Sequence, residues 1–235
     1  AANQSAGFWF SIETAPRASL GFYNEGAIQS ILWDIFDSAD DGSDTLSLGF
    51  ATIWQTLRHP AYLGFAGFPS IFSFAAIHNQ VSPNSQAALE RLLNSFEING
   101  TGVYGEGESH DAGSAAVLPV YHRVSPGSPV TVCSDNDSQE YNGVEVNRFV
   151  LVDVPVAGRY TISVEDNGGL AVTNPDFYVY RDGAWVNGRA TSTADVESLS
   201  QTFEADTSAL QVFEASSSDN DDSPGGLACF IVSIN

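Results

Sequence analysis

Residues 147–165 read NRFVLVDVPVAGRYTISVE, and this stretch decides the fold class of the second half of the chain. Arg159, Thr161 and Ser163 alternate with Tyr160, Ile162 and Val164, the two-residue period of a strand with one wet face. Around it, short runs of Val, Ile, Tyr and Phe are broken by Gly, Pro, Asn and Asp. They give strand candidates at about 129–134, 147–154, 158–165, 176–181, 199–205, 209–214 and 227–234. Strands so spaced, with turn signals between them, predict an antiparallel β-sandwich over 129–235, jelly-roll-like in outline.

Before residue 100 the period changes to that of helices. Asn24 is an N-cap candidate, and Ile28, Ile31, Leu32, Ile35 and Phe36 stand on one apolar face of a helix over about 25–37. Asp44 is the cap candidate for a second helix ending near Arg58, its stripe being Leu46, Phe50, Ile53, Trp54 and Leu57, with Pro60 as terminator. A third apolar helix covers Ile71 to His78. Ser82 followed by Pro83 predicts the start of a fourth, carrying Leu89, Leu92, Leu93 and Phe96. Four amphipathic helices with short links predict a bundle over 1–99, followed by a connector at 100–128. The fold class is therefore α+β in two domains.

Composition bounds the function. The 235 residues hold 8 Arg and no Lys against 29 acids, a net charge of −21, which disfavours nucleic acid and anionic membrane surfaces as partners. Residues 1–99 carry net −6 and residues 100–235 net −15, so the charge divides where the pattern does. The same balance is that of proteins kept soluble in salty water. No apolar run reaches the roughly 18 residues of a membrane span. Met is absent and no signal-peptide pattern opens the chain, so we expect a leader or pro-region to have been removed before Ala1. Cys133 and Cys229 fit an oxidised pair in a secreted protein, two reduced buried thiols being the other reading.

The segments GFYNEGAIQSILWDIFD, DTLSLGFATIWQTL and FPSIFSFAAIHNQVSPNSQAALERLLNSFEI resemble the C-terminal helical domain of thermolysin-like zinc metallopeptidases. The resemblance covers residues 20–99 and rests on the order of elements. A helix starts at an N-x-G turn, here Asn24 and Gly26; a second carries Leu48 and Gly49 with Leu57; a third is apolar; a fourth is rich in Ala and Leu. Residues 130–235, with VTVCSDND, NRFVLVDVPVAGRYTISVED and NPDFYVYRDG, look like a bacterial pre-peptidase C-terminal domain, a small sandwich appended to secreted peptidases. YGEGESHDAGSAAVLPVY, residues 104–121, looks like the connector between such parts.

The departures from the peptidase pattern decide what the resemblance implies. Catalysis there needs His-Glu-x-x-His on a helix with a downstream Glu, two His one turn apart holding zinc and the Glu acting as base. His59, His78, His110 and His122 occur singly, with no second His at i+4. Phe22 and Tyr23 stand where the family places an oxyanion-stabilising His. No catalytic residue and no zinc ligand is therefore expected in this chain, and zinc is not expected as its cofactor. Glu25 reads as a first-turn helix acid, and His59 and His78 as structural residues at helix C-termini. Asp34 is a solvated helix residue or the orienter of a catalytic His in a complete enzyme.

Calcium is the candidate cofactor. Asp37, Asp40, Asp41 and Asp44, then Asp135, Asn136 and Asp137, then Asp219, Asp221 and Asp222 form acidic loops; a solvated charged loop is the plainer reading of each, and for calcium the set beside Cys133 is preferred. Trp185, Tyr178 and Tyr180 are a candidate sugar platform, with strand packing as the plainer reading. The expected function is that of a non-catalytic, secreted C-terminal portion of a bacterial metallopeptidase or an inactive relative, partnered by an upstream catalytic fragment. The alternative is an extracellular binding or structural subunit, partnered by copies of itself.

Overall fold

The computed structural model describes residues 20–38, 45–111, 117–135, 147–167, 175–181, 184–189, 196–203, 211–217 and 227–235. The chain is α+β: helices fill the first part and two sheets the second.

Helix α1 spans Glu25–Phe36 and starts where the Asn24 carboxamide accepts the N–H of Ala27 at 3.0 Å. Ile31 and Ile35, one turn apart, are fully buried. Helix α2, Gly49–Leu57, departs from the expected stripe. Its N-cap is Leu48, with no side-chain cap bond, and Asp44 lies outside the described residues. Because the helix starts at Gly49, its buried positions are Ile53 and Thr56. Phe50 and Trp54 turn outward at 60% and 49% exposure, with rings 6.0 Å apart and the Arg58 guanidinium 5.7 Å from the indole.

Pro60 starts an element as well as closing one. Its fixed φ and missing N–H suit the first position of the short helix α3, Pro60–Leu63, and the His59 imidazole caps that helix by accepting the Ala61 N–H. Helix α4, Ile71–Val81, outruns the expected His78 by most of a turn and opens with a reciprocal cap between Ser70 and Ser73. Ser82 closes α4, and Pro83–Ser85 form a 3-10 turn before α5, Gln86–Ser95.

Nine strands are described. Strand β1 (Tyr121–Val124) pairs parallel with β3 (Arg148–Val152); the other pairings are antiparallel. The first sheet runs β1-β3-β8-β5-β6, with β5 at Pro175–Arg181, β6 at Ala184–Arg189 and β8 at Gln211–Ser217. The second runs β2-β9-β4-β7, with β2 at Val130–Asp135, β4 at Gly158–Asp166, β7 at Val196–Phe203 and β9 at Leu227–Ile234. Strands β1 and β6 were not among the sequence candidates. Val150, Val152, Phe177 and Val179 of the first sheet meet Val132, Ile162, Val164, Phe230 and Val232 of the second in one core, the packing of a sandwich.

Strand β3 joins the two parts. Val150 and Val152 point into the sandwich core, whereas Leu151, also fully buried, belongs with the helical cluster of Ile31, Ile35, Phe72 and Leu89. The run FVLV lacks alternation because both its faces are covered. The helices thus form a third layer on the outer face of the first sheet.

Candidate functional site

Where the helices meet β1 and β3, aromatic rings make the contact. Phe68, in the link after α3, lies 4.8 Å from Phe149 and 4.7 Å from Tyr180. Tyr121 packs against Phe149 at 5.7 Å, and its hydroxyl accepts the N–H of Phe68 while donating to the carbonyl of the same residue. Burial pushes this phenol far up from its ordinary range, the Phe68 backbone contact opposing in part.

Above this floor is a cavity of about 330 Å³, walled by Ile28 and Leu32 of α1, Leu57 of α2, Tyr62 of α3, and Ile71 and Phe74 of α4. Phe22 closes one side. Among the described residues no charged side chain lines it. The Tyr62 phenol, pushed up by burial, makes no hydrogen bond among the described residues.

A second constellation lies where the start of α1 meets the loop after α5. His110 Nδ1 is 2.7 Å from the Tyr23 hydroxyl, and its Nε2 is 2.9 Å from a carboxylate oxygen of Glu97. Glu97 holds φ at 58°, in the left-handed region. Gly21, with φ at 100°, lies beneath this pair; a Cβ there would stand 2.7 Å from the Tyr23 ring, so no side chain fits. Beside it, the Glu108 carboxylate accepts four backbone N–H groups, from Asn99 and Gly100 on one oxygen and from Ser109 and His110 on the other. Four charge-assisted bonds to one nearly buried carboxylate pin the loop to the end of the helical layer.

The residues singled out from sequence do not converge on one centre. Glu25 is exposed in the first turn of α1 and accepts a hydrogen bond from Gln29. Asp34 is half-buried on α1, and Asp37 caps its C-terminus through its backbone. His78 is fully buried, beyond what a helix-end position required, and its two ring nitrogens have no hydrogen-bond partner among the described residues. Burial pushes its pKa down. Asp135 ends β2 and is described by its backbone; Asn136, Asp137, Asp40, Asp41, Asp44, Asp219, Asp221 and Asp222 lie outside the described residues. Among the described residues no three His, Cys, Asp or Glu side chains gather as a metal site would need. Of the sugar-platform candidates, Tyr180 and Trp185 are cross-strand partners on β5 and β6; Trp185 is 63% exposed, and Tyr180 packs edge-on against Phe68.

The sulfurs of Cys133 and Cys229 are bonded, joining β2 to β9 at directly opposed positions. Alongside, the buried Arg148 guanidinium donates to the carbonyls of Cys133 and Asn147. His122 of β1 has its pKa pushed down to about 4, first by burial and then by the Arg148 charge.

Among the described residues, no helix is long and apolar enough to cross a membrane. No family model matches the sequence, and no curated protein matches it. Comparison with solved structures finds the pre-peptidase C-terminal domain of a collagenase from Bacillus anthracis at 11% identity and a TM-score of 0.35, covering 49% of this chain and 94% of that one. It also finds a β-glucosidase from Paenibacillus barengoltzii at 13% identity and a TM-score of 0.20, covering 66% of this chain and 17% of that one.

Proposed function

We propose that this chain is a non-catalytic C-terminal portion of a secreted bacterial metallopeptidase or of an inactive relative. A bundle-like helical subdomain supports the cleft, and a pre-peptidase C-terminal-like sandwich serves as accessory domain. The observation that carries the reading is the order of α1, α2, α4 and α5, with Asn24 capping the first at the Asn-Glu-Gly turn, stacked on a two-sheet sandwich. That order is the one the sequence resemblance implies. Zinc, with the chemistry of activating water toward a peptide carbonyl, would be supplied by an upstream part. Calcium at Asp135, Asn136 and Asp137 belongs to the same proposal, and a rise in melting temperature with calcium that is lost in Asp137→Asn tests it.

The purified chain is expected to hydrolyse no casein with added zinc and to bind no zinc tightly. One equivalent of tightly bound zinc with chelator-sensitive hydrolysis contradicts the reading. A second reading, an extracellular binding or structural subunit, is favoured by the uncharged cavity and by the outward Phe50 and Trp54.

A further inference from the structure

We propose that the cavity between the helical layer and strands β1 and β3 is a binding site for a small neutral aromatic molecule carrying one hydrogen-bond acceptor. Its volume, about 330 Å³, stands at the lower end of the roughly 300–1,000 Å³ of small-molecule sites, which fits a substituted single ring. The ring preference comes from the walls. Phe22, Tyr62, Phe68, Phe74, Tyr121 and Phe149 offer faces and edges for offset or edge-on contact.

Neutrality follows from charge. In a chain with 29 acids, none of the described residues lining this space is charged, so an ionised ligand would lose its hydration with nothing among them to replace it. The acceptor follows from Tyr62, the wall residue whose hydroxyl makes no hydrogen bond among the described residues. Tyr121 cannot serve, because its oxygen is engaged both ways with Phe68. Those two bonds and the Phe68–Phe149 contact also hold the floor in place before a ligand arrives, which lowers the ordering cost of binding.

The test uses the full chain and three probes of similar size, titrated by saturation-transfer NMR: acetophenone, which has ring and acceptor; toluene, which has the ring alone; and benzoate, which is charged. The expected order is acetophenone tightest, toluene weaker, benzoate without saturable binding. Tyr62→Phe lowers acetophenone affinity about fivefold, the scale of one neutral hydrogen bond, and leaves toluene within about twofold. Leu57→Trp, at a half-buried wall position, removes the binding of both neutral probes. No saturable binding of either neutral probe, equal binding of benzoate, or unchanged acetophenone affinity in Tyr62→Phe overturns the inference. This site goes beyond the peptidase-derived reading and stands or falls apart from it, because none of these titrations depends on zinc or on an upstream part.

Discussion

The hydroxyl of Tyr121 grips both polar groups of one residue, accepting the Phe68 N–H at 2.9 Å and donating to the Phe68 carbonyl at 3.2 Å. A side chain from the first strand thereby fixes the backbone of the link between α3 and α4. Tyr121→Phe leaves that amide and carbonyl without their partner, and we expect a loss of about 1–3 kcal/mol in urea unfolding. Leu151→Ala, at a fully buried position of the same seam, is expected to cost about 2–5 kcal/mol. Far-UV circular dichroism and tryptophan fluorescence should give coincident transitions for the parent chain, because one strand is built into both cores.

The loop after α5 depends on one carboxylate. Glu108→Gln keeps the shape but turns an amide NH₂ toward backbone donors, leaving N–H groups without an acceptor. The expected cost is about 2–3 kcal/mol, with faster amide exchange at Asn99, Gly100, Ser109 and His110 as the local signature.

Two histidines give stability a pH dependence of definite sign. Burial pushes both His78 and His122 down, the latter to about 4, so each binds its proton less readily folded than unfolded. Their contribution is present in full above the unfolded value of about 6.5 and is lost as pH falls through the folded value. For His122 the loss between about pH 6.5 and 4 amounts to at most about 3 kcal/mol. Unfolding midpoints of the parent chain and His122→Gln, measured across that window, should converge as pH falls. Parallel curves would show that the imidazole does not titrate between the two states.

How far the sequence carried can be judged strand by strand. The alternation in β4 is seen as read, with Ile162 and Val164 buried and Arg159 exposed. The adjacent run FVLV reads as a strand, and its lack of alternation reflects a layer on each side. Strand β1, Tyr-His-Arg-Val, escapes a sequence reading because two polar residues fill its centre, and the residues it pairs with in β3 lie 28 positions downstream. Helix α2 is misphased in the sequence reading because the expected stripe counts Leu46 into a helix that begins at Gly49; Leu46 is buried from outside the helix. The cavity and the Glu108 latch were not legible at all. Each needs segments brought together by the stacking of helices on the first sheet or by the return of the 100–111 loop, and no local period records that.

The bond between Cys133 and Cys229 closes a loop spanning 96 positions. In the chain-entropy account such a loop contributes about 4–5 kcal/mol by restricting the unfolded chain. A double Cys133→Ser, Cys229→Ser variant is expected to lose close to that amount in denaturant unfolding while keeping the far-UV spectrum of the parent under native conditions.

The central claim, that this chain is the C-terminal portion of a metallopeptidase or its relative, is tested most directly by reading the encoding gene upstream of Ala1. The account predicts His-Glu-x-x-His with a downstream Glu in the same frame, which would supply the zinc site that the resemblance requires and this chain's motifs lack. A signal peptide immediately before Ala1 would contradict it, and would leave binding or assembly as the work of the molecule.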